Sequence, residues 1–390
     1  MRIDAHIHYA PPELAARLDQ FTLDEPYWGL LMGPGSPQGW ASAERMIADM
    51  DAAGIDKVVI MGQYRQRYEG CVEANNEALA LMRRYSDRVI AFAMAQPKAG
   101  QAALDELKRC VDAGMRGVGE LGPYGQGYRL DDLDFLALVE ACIDYGLPIN
   151  LHTNEEVGRY YAGKATTPLR HVYRLVERYP ELKLILAHWG GGLLFNELMP
   201  TAQKTLRNVW YDTAASPLLF PTERIFRAAL AAVDHRKLLY ASDYPLRLYP
   251  KSQPEPDFRP FLAEIEALGL SEDVRADILG GNAARLLGLT EDARALPAAP
   301  ERPVARRAAR AMPAAIAQLA PEMPVAAVAE TWPDTRMIFE RYGIPWLDSP
   351  APEWEPVRQA AAARGMGPAE LARLMAELRE TVGARDTPET

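Results

Sequence analysis

Cysteine, lysine and histidine are all scarce in this chain. Three cysteines occur in 390 residues, Cys71, Cys110 and Cys142, far apart and each in a helix-like stretch. They can build neither a disulfide framework nor a CxxC metal knuckle, which excludes a stapled secreted scaffold and a zinc ribbon. Lysine supplies 8 of the 43 basic side chains and arginine 35; against 53 acids they leave a formal net charge of −10 and no basic stripe. A nucleic-acid binder is therefore not expected. No apolar run approaches the roughly 18 residues of a membrane span, and the first residues lack the apolar stretch of a signal peptide. The expectation is a reduced, cytoplasmic protein that engages neither membrane nor nucleic acid. What is present is ordinary globular material, 48% hydrophobic and 25% charged, which rules out wholesale disorder.

Short, β-branched-rich runs alternate with helical patterns up to about residue 288. The strand candidates are Ile3–His8, Lys57–Gly62, Val89–Gln96, Gly117–Leu121, Pro148–His152, Leu182–His188, Val209–Thr213 and Leu238–Ser242. After one oversized gap they recur every 25 to 36 residues, counted between mid-strand positions, the size of one βα unit. Their continuous hydrophobicity suits strands buried on both faces. Helices fit between them, several ending in a glycine placed for a C-cap (Gly54, Gly114, Gly146). Tyr9-Ala10-Pro11-Pro12 after the first strand is no Gly-rich phosphate turn, so an open dinucleotide-binding sheet is disfavoured. The fold expected is an α/β (β/α)8 TIM barrel over residues 1–288. Residues 289–312, rich in Ala, Pro and Arg, read as a linker, and residues 313–390 as a small all-helical domain. The oversized gap places an insertion, about Tyr9 to Trp40, above the first strand, where a lid over the barrel mouth would sit.

Of six histidines, four lie at or just beyond the C-terminal ends of these strands: His6 and His8 on the first, His152 after the fifth, His188 after the sixth. Asp243 holds the same place on the eighth. Period-2 alternation turns His6 and His8 to one side, and in a barrel all these strand ends meet at one mouth. Buried, unpaired imidazoles and carboxylates cost several kcal/mol, and a divalent cation is the usual remedy. A nitrogen-rich set with one carboxylate points to zinc, with manganese, iron or cobalt as alternatives. Glu120, near the end of the fourth strand, could bind a second metal, orient a ligand or pair with an arginine. His171 and His235, in helical segments, read as structural.

His6-x-His8, His152, His188 in Ala-His-Trp-Gly-Gly and Asp243 in Ala-Ser-Asp-Tyr-Pro resemble the amidohydrolase superfamily, in particular its amidohydrolase-related branch of metal-dependent hydrolases and decarboxylases. The resemblance spans residues 1 to about 288. It implies that His6, His8, His152 and Asp243 bind the metal. Asp243 would also move a proton, and His188 would polarise substrate or hold a second ion. Glu120 matches the fourth-strand glutamate of dinuclear members, so one or two ions are expected. The expected activity is hydrolysis of a C–O or C–N bond in a lactone, ester or amide; non-oxidative decarboxylation is the alternative.

A carboxylated small molecule would suit arginines at the mouth, because a guanidinium grips a carboxylate bidentately. Arg65, Tyr124, Arg159 and Arg247 follow strands two, four, five and eight and are the substrate-binding candidates. The tail, with Phe339-Glu340-Arg341-Tyr342-Gly343-Ile344, resembles a small helical domain of unknown function. Relatives of that domain usually carry a cysteine just after the glycine, but here Pro345-Trp346 follows. Docking or homo-oligomerisation is the role expected of it.

Overall fold

A computed structural model describes residues 1–33, 35–158, 161, 164–165, 167–289, 319–346 and 355–383. It divides into two compact units. The first contains eight strands: β1 (Ile3–His8), β2 (Lys57–Met61), β3 (Val89–Ala91), β4 (Val118–Leu121), β5 (Ile149–Leu151), β6 (Leu184–Leu186), β7 (Val209–Asp212) and β8 (Leu238–Leu239). Neighbours pair in chain order within β1–β3 and within β4–β8, every pair parallel. Parallel bridges between Ala93 and Val118, and between Ile7 and Tyr244, join the two sets. The sheet thus closes on itself as the expected (β/α)8 barrel.

Crossover helices form where the hydrophobic period places them, among them Ala43–Ala53, Gln101–Asp112, Leu133–Asp144 and Thr222–Ala232. Ser42 starts the first of these by accepting from the Arg45 N–H, and Gly54 ends it in the left-handed conformation that glycine adopts most readily. Inside the barrel, Ile3, Ala5, Val59, Met61, Ile90, Phe92, Ile185 and Leu239 form an apolar plug. The insertion after β1 folds as short helices, Pro12–Ala16, Leu18–Asp24 and Pro26–Leu31, with Tyr27 and Trp28 buried. The second unit has helices Val325–Thr331, Thr335–Arg341, Val357–Ala362 and Pro368–Gly383 around Val328, Phe339, Val357, Ala360 and Leu374. The linker expected over 289–312 lies outside the described residues, apart from Leu289. Among the described residues no helix is long and apolar enough to cross a membrane.

Two irregularities in register set up the mouth of the barrel. Along β1, Asp4 pairs with Val58 but Ile7 pairs with Ile60, so one extra residue enters the ladder. A bulge of this kind reverses the inward–outward parity. Ile3 and Ala5 face the plug, and beyond the bulge His6 and His8 face inward as well. Along β4, Val118 pairs with Ile149 and Leu121 with Leu151, and the extra residue turns Glu120 to the barrel centre. Gly119 makes this possible: its φ is 143°, and a Cβ there would stand 2.6 Å from the Asn150 carbonyl oxygen. Gly119→Ala is therefore expected to cost about 2–4 kcal/mol, lowering the midpoint of a circular-dichroism melt by roughly 5–10 °C. An unchanged midpoint would show that β4 can relax around a side chain.

Candidate active site

The hydrogen bonds around the four strand-end histidines fix where each ring carries its proton. His6 Nδ1 lies 2.9 Å from Asp212 Oδ2, His8 Nδ1 lies 3.3 Å from the Met61 carbonyl oxygen, and His188 Nδ1 lies 2.9 Å from that of Ala214. An oxygen that can only accept requires the proton on the facing nitrogen, so Nε2 of each ring is the nitrogen that faces the site, a lone pair whenever the ring is neutral. His152 is reversed. Its Nε2 faces Asn154 Oδ1 at 3.0 Å, and that amide is oriented by the Ala165 N–H donating to the same oxygen at 2.8 Å. His152 Nδ1 thus faces the site, 2.7 Å from both the Tyr64 hydroxyl and Glu120 Oε1.

These four inward nitrogens converge. His6 Nε2 and His8 Nε2 are 3.2 Å apart, as are His188 Nε2 and His152 Nδ1. Glu120 stands between the two pairs. Its Oε2 is 3.6 and 3.5 Å from His6 and His8, and its Oε1 is 2.7 and 3.5 Å from His152 and His188. Asp243 Oδ1 lies 3.4 Å from His8 Nε2. Glu120 Oε2 is buried without a hydrogen-bond partner. Lone pairs and anionic oxygens at this spacing repel one another unless positive charge lies among them. The donor set fits a divalent cation: imidazole and carboxylate ligands, each held from behind by a second group. His6, His8 and Asp243, and separately Glu120, His152 and His188, have donor atoms close enough to hold an ion.

Protons are drawn to the same place. Burial opposes charge on His6, but Glu120 and Asp212 outweigh it and hold the ring well above the ordinary histidine range. His188 is pushed up to about 9: burial works against the charged form and is overcome by the hydrogen bond and charge of Glu120. Burial would raise Glu120, yet the charges of His152 and His6 keep it well below the usual carboxylate range.

The backbone is strained at this point and, among the described residues, nowhere else outside glycine. The four non-glycine residues with positive φ are His188 (57°), Trp189 (60°), Ala215 (54°) and Asp243 (66°). All follow β6, β7 or β8, and such conformations cost on the order of 1 kcal/mol each. His188, Ala215 and Asp243 line a cavity of about 410 Å³ together with His8, His152 and, from the insertion, Trp28.

The remaining sequence candidates are placed elsewhere. Arg65 is buried, its guanidinium carbon 4.2 Å from the Phe21 ring centre, and it borders a separate cavity with Glu25. Arg247 donates to the Ser36 and Pro37 carbonyls, tying down the end of the insertion. Tyr124 is half exposed, its ring against that of Tyr27. Arg159 lies outside the described residues. Asp212, Tyr64 and Asn154 were not singled out from the sequence. Asp212 had a visible signal, since it ends β7 as Asp243 follows β8. It accepts from His6 Nδ1, Asn150 Nδ2 and the His188 and Ala214 N–H groups.

A family model for amidohydrolases matches residues 3–289. The chain belongs to the amidohydrolase family. It is 21% identical to the 2-amino-3-carboxymuconate-6-semialdehyde decarboxylase of Dictyostelium discoideum over 280 residues, covering 62% of this chain and 74% of the relative. The 5-carboxyvanillate decarboxylase of Sphingomonas paucimobilis superposes with a TM-score of 0.58 at 17% identity, covering 73% of this amidohydrolase and 98% of that chain. The 5-carboxyvanillate decarboxylase of Novosphingobium aromaticivorans, solved with manganese and 4-hydroxy-3-methoxy-5-nitrobenzoic acid, gives 0.56 at 19%, covering 74% and 96%. These likenesses correct the hydrolytic expectation. The relatives named are decarboxylases, and metal ligands common to both chemistries could not separate them.

Asp212 gives a test of this framework. Burial raises its pKa, but the charge of His6 and its hydrogen bond bring it below the ordinary aspartate range. A carboxylate depressed in the fold stabilises above its unfolded pKa, and that stability fades as pH falls through the folded value. Asp212→Asn is thus expected to lose about 2–4 kcal/mol at pH 7. Urea melts should show this deficit shrinking below about pH 4, and a pH-independent deficit would assign the loss to packing.

Proposed function

We propose that this amidohydrolase is a metal-dependent decarboxylase of a small, planar carboxylic acid. The observation that carries the reading is the convergence of four imidazole lone pairs and two carboxylates at one end of a cavity walled by Trp28, Leu31, Leu218 and Leu246. No arginine or lysine lines that cavity among the described residues, so there the metal site and His188 are the positive charge that a bound carboxylate would meet. The decarboxylase relatives support the reading from outside.

A divalent cation held by His6, His8, His152 and Asp243 would bind substrate oxygens and draw electron density from the bond that breaks. The residues do the rest. Apolar walls accept a flat ring, exclude water and release uncharged carbon dioxide easily. Asp212 and the Ala214 carbonyl lock the rings of His6 and His188, so the nitrogens meet the substrate without rearranging. The carbon that loses carbon dioxide keeps the bonding pair and must gain a proton. Asp243 borders the cavity and takes the role of delivering it, being reprotonated from solvent. Manganese, bound in one of the solved relatives, is proposed ahead of zinc, since two carboxylates suit it.

Glu120 favours a second ion. With one oxygen turned to His6 and His8 and the other to His152 and His188, it can be shared between two cations. Metal analysis of manganese-loaded protein is expected to give two ions per chain and Glu120→Gln one; a single ion in the unaltered protein would refute the sharing role.

Decarboxylation is checked by carbon dioxide release from a panel of aromatic and dienoic carboxylic acids. Chelation should abolish turnover and manganese restore it, while undiminished activity in metal-free protein would end the reading. Asp243→Asn is expected to lower turnover by about 10³-fold or more, from loss of a proton donor and a ligand together.

A further inference from the structure

The chain around His188 runs left-handed for five residues in succession. From His188 through Trp189, Gly190 and Gly191 to Gly192, φ is 57°, 60°, 62°, 60° and 97°. The left-handed region is ordinarily visited by single residues, and side chains as large as histidine and tryptophan resist it. Such a turn persists only where its surroundings over-determine it. Three neighbours grip it directly. The His188 N–H donates to Asp212 Oδ1 at 3.1 Å, and the Trp189 indole N–H donates to Ser216 Oγ at 2.8 Å. Gly190 lies against the Tyr211 ring, where a Cβ would stand 2.8 Å from Cδ1.

Behind Tyr211 is a buried ion pair that the chemistry of the site does not use. Glu197, 4% exposed, belongs to the segment Leu193–Leu198 that continues the turn. It accepts from the Tyr211 hydroxyl at 2.6 Å and from Lys237 Nζ at 2.5 and 2.6 Å. Lys237 immediately precedes β8 and donates also to the Leu206 carbonyl oxygen at 2.9 Å. Stability alone does not account for this pair. Burial pushes the Lys237 ammonium down despite the carboxylate beside it, and apolar residues of similar volume are often as stable or more so. What the pair supplies is direction. One carboxylate ties the end of the turn to the ring that Gly190 rests on, and both to the start of the strand that leads to Asp243.

We propose that Glu197 and Lys237 are positioning residues for His188, and that their buried pair holds the left-handed turn that aims its imidazole at the metal site. Without the pair, the turn is free to relax out of the left-handed region. The ring then loses the Ala214 carbonyl oxygen at Nδ1 and its place 3.2 Å from His152 Nδ1. The proposal rests on the decarboxylase reading for what His188 does, though not for where the turn holds it.

The test replaces both charges at once, Glu197→Leu with Lys237→Met, because either change alone strands a buried charge and endangers folding. The melting midpoint of this double variant is expected to stay within a few degrees of the unaltered protein. In metal-free protein carrying isotope-labelled histidine, the His188 Nδ1–H bonded to the Ala214 carbonyl should give an exchange-protected proton resonance, assigned by its absence from His188→Gln. The double variant should lose it. Loaded with manganese, the double variant is expected to decarboxylate the acid that the unaltered protein accepts roughly 10- to 100-fold more slowly. A folded double variant that keeps the resonance or the rate overturns the proposal, and absence of the resonance from the unaltered protein does the same. So does a midpoint lower by more than about 10 °C, which would make the pair a general support of the barrel. If the unaltered protein shows the resonance yet decarboxylates no acid, the decarboxylase reading falls, and the resonance in the double variant alone decides this inference.

Discussion

Negative charge and imidazole lone pairs, crowded into a water-poor pocket, govern the rest of this molecule. Glu120 lies within 3.6 Å of a nitrogen on each of four histidines, and a neutral ring whose proton is taken on its far side cannot donate to it, so positive charge, as a proton or a cation, has to lie among them. Each arrangement behind the site preserves that condition. Asp212, the Met61 and Ala214 carbonyls and Asn154 take the outer ring nitrogens, so the inner ones cannot turn away from the site. An apolar core would be more stable without such a cluster. Its retention, with strained backbone beneath it, is the mark of a site held ready for a cation.

The barrel delivers this arrangement through departures from regularity. A strand with strict alternation would carry Ala5 and Ile7 inward and leave His6 outside. The bulge in β1 lets Ile3 and Ala5 complete the apolar plug while His6 and His8 enter the mouth. β4 uses the same device for Glu120. Beyond β6 and β8 the means is conformational, with left-handed His188 and Asp243 reversing the chain where it leaves the sheet. Stability and function are thus separated along single strands: lower halves pack, upper ends hold charge.

Much of this was legible in the sequence, for identifiable reasons. Parallel strands buried on both faces write themselves as unbroken apolar runs, and βα units repeat at a nearly fixed length, so eight strands could be placed by pattern. Histidine is rare here, and four at equivalent positions stood out. The bulges were hidden because one residue added to a strand leaves no trace in composition. Asp212 carried a signal in its place at the end of β7, but nothing in the sequence distinguishes an acid that backs a ligand from any other strand-end acid. Arg65 and Arg247 misled for the opposite reason: a loop position after a strand says where the backbone goes, and the guanidinium then turned to an aromatic ring and to carbonyls. The choice between hydrolysis and decarboxylation was beyond the motifs altogether. The same ligands serve both, and it is the likeness to decarboxylases that favours one reading over the other.

The wall of the cavity shapes how the chemistry is divided. Where arginines line a pocket, they hold the carboxylate and leave the metal free to act on another atom. Here the described lining holds no arginine, so on the proposed reading binding and bond breaking would fall largely to the same metal site. Grip on the carboxylate and withdrawal of electrons from its bond must then rise and fall together, and orientation has to come from groups that carry no charge. Neutral hydrogen bonds exact little desolvation when a flat acid leaves water, and they fix its rotation about the carboxylate axis, which a spherical ion cannot do. A cation at the floor of an apolar-walled cavity would on the proposed reading divide the labour: the first supplies the driving force, and the walls limit which acid is presented to it.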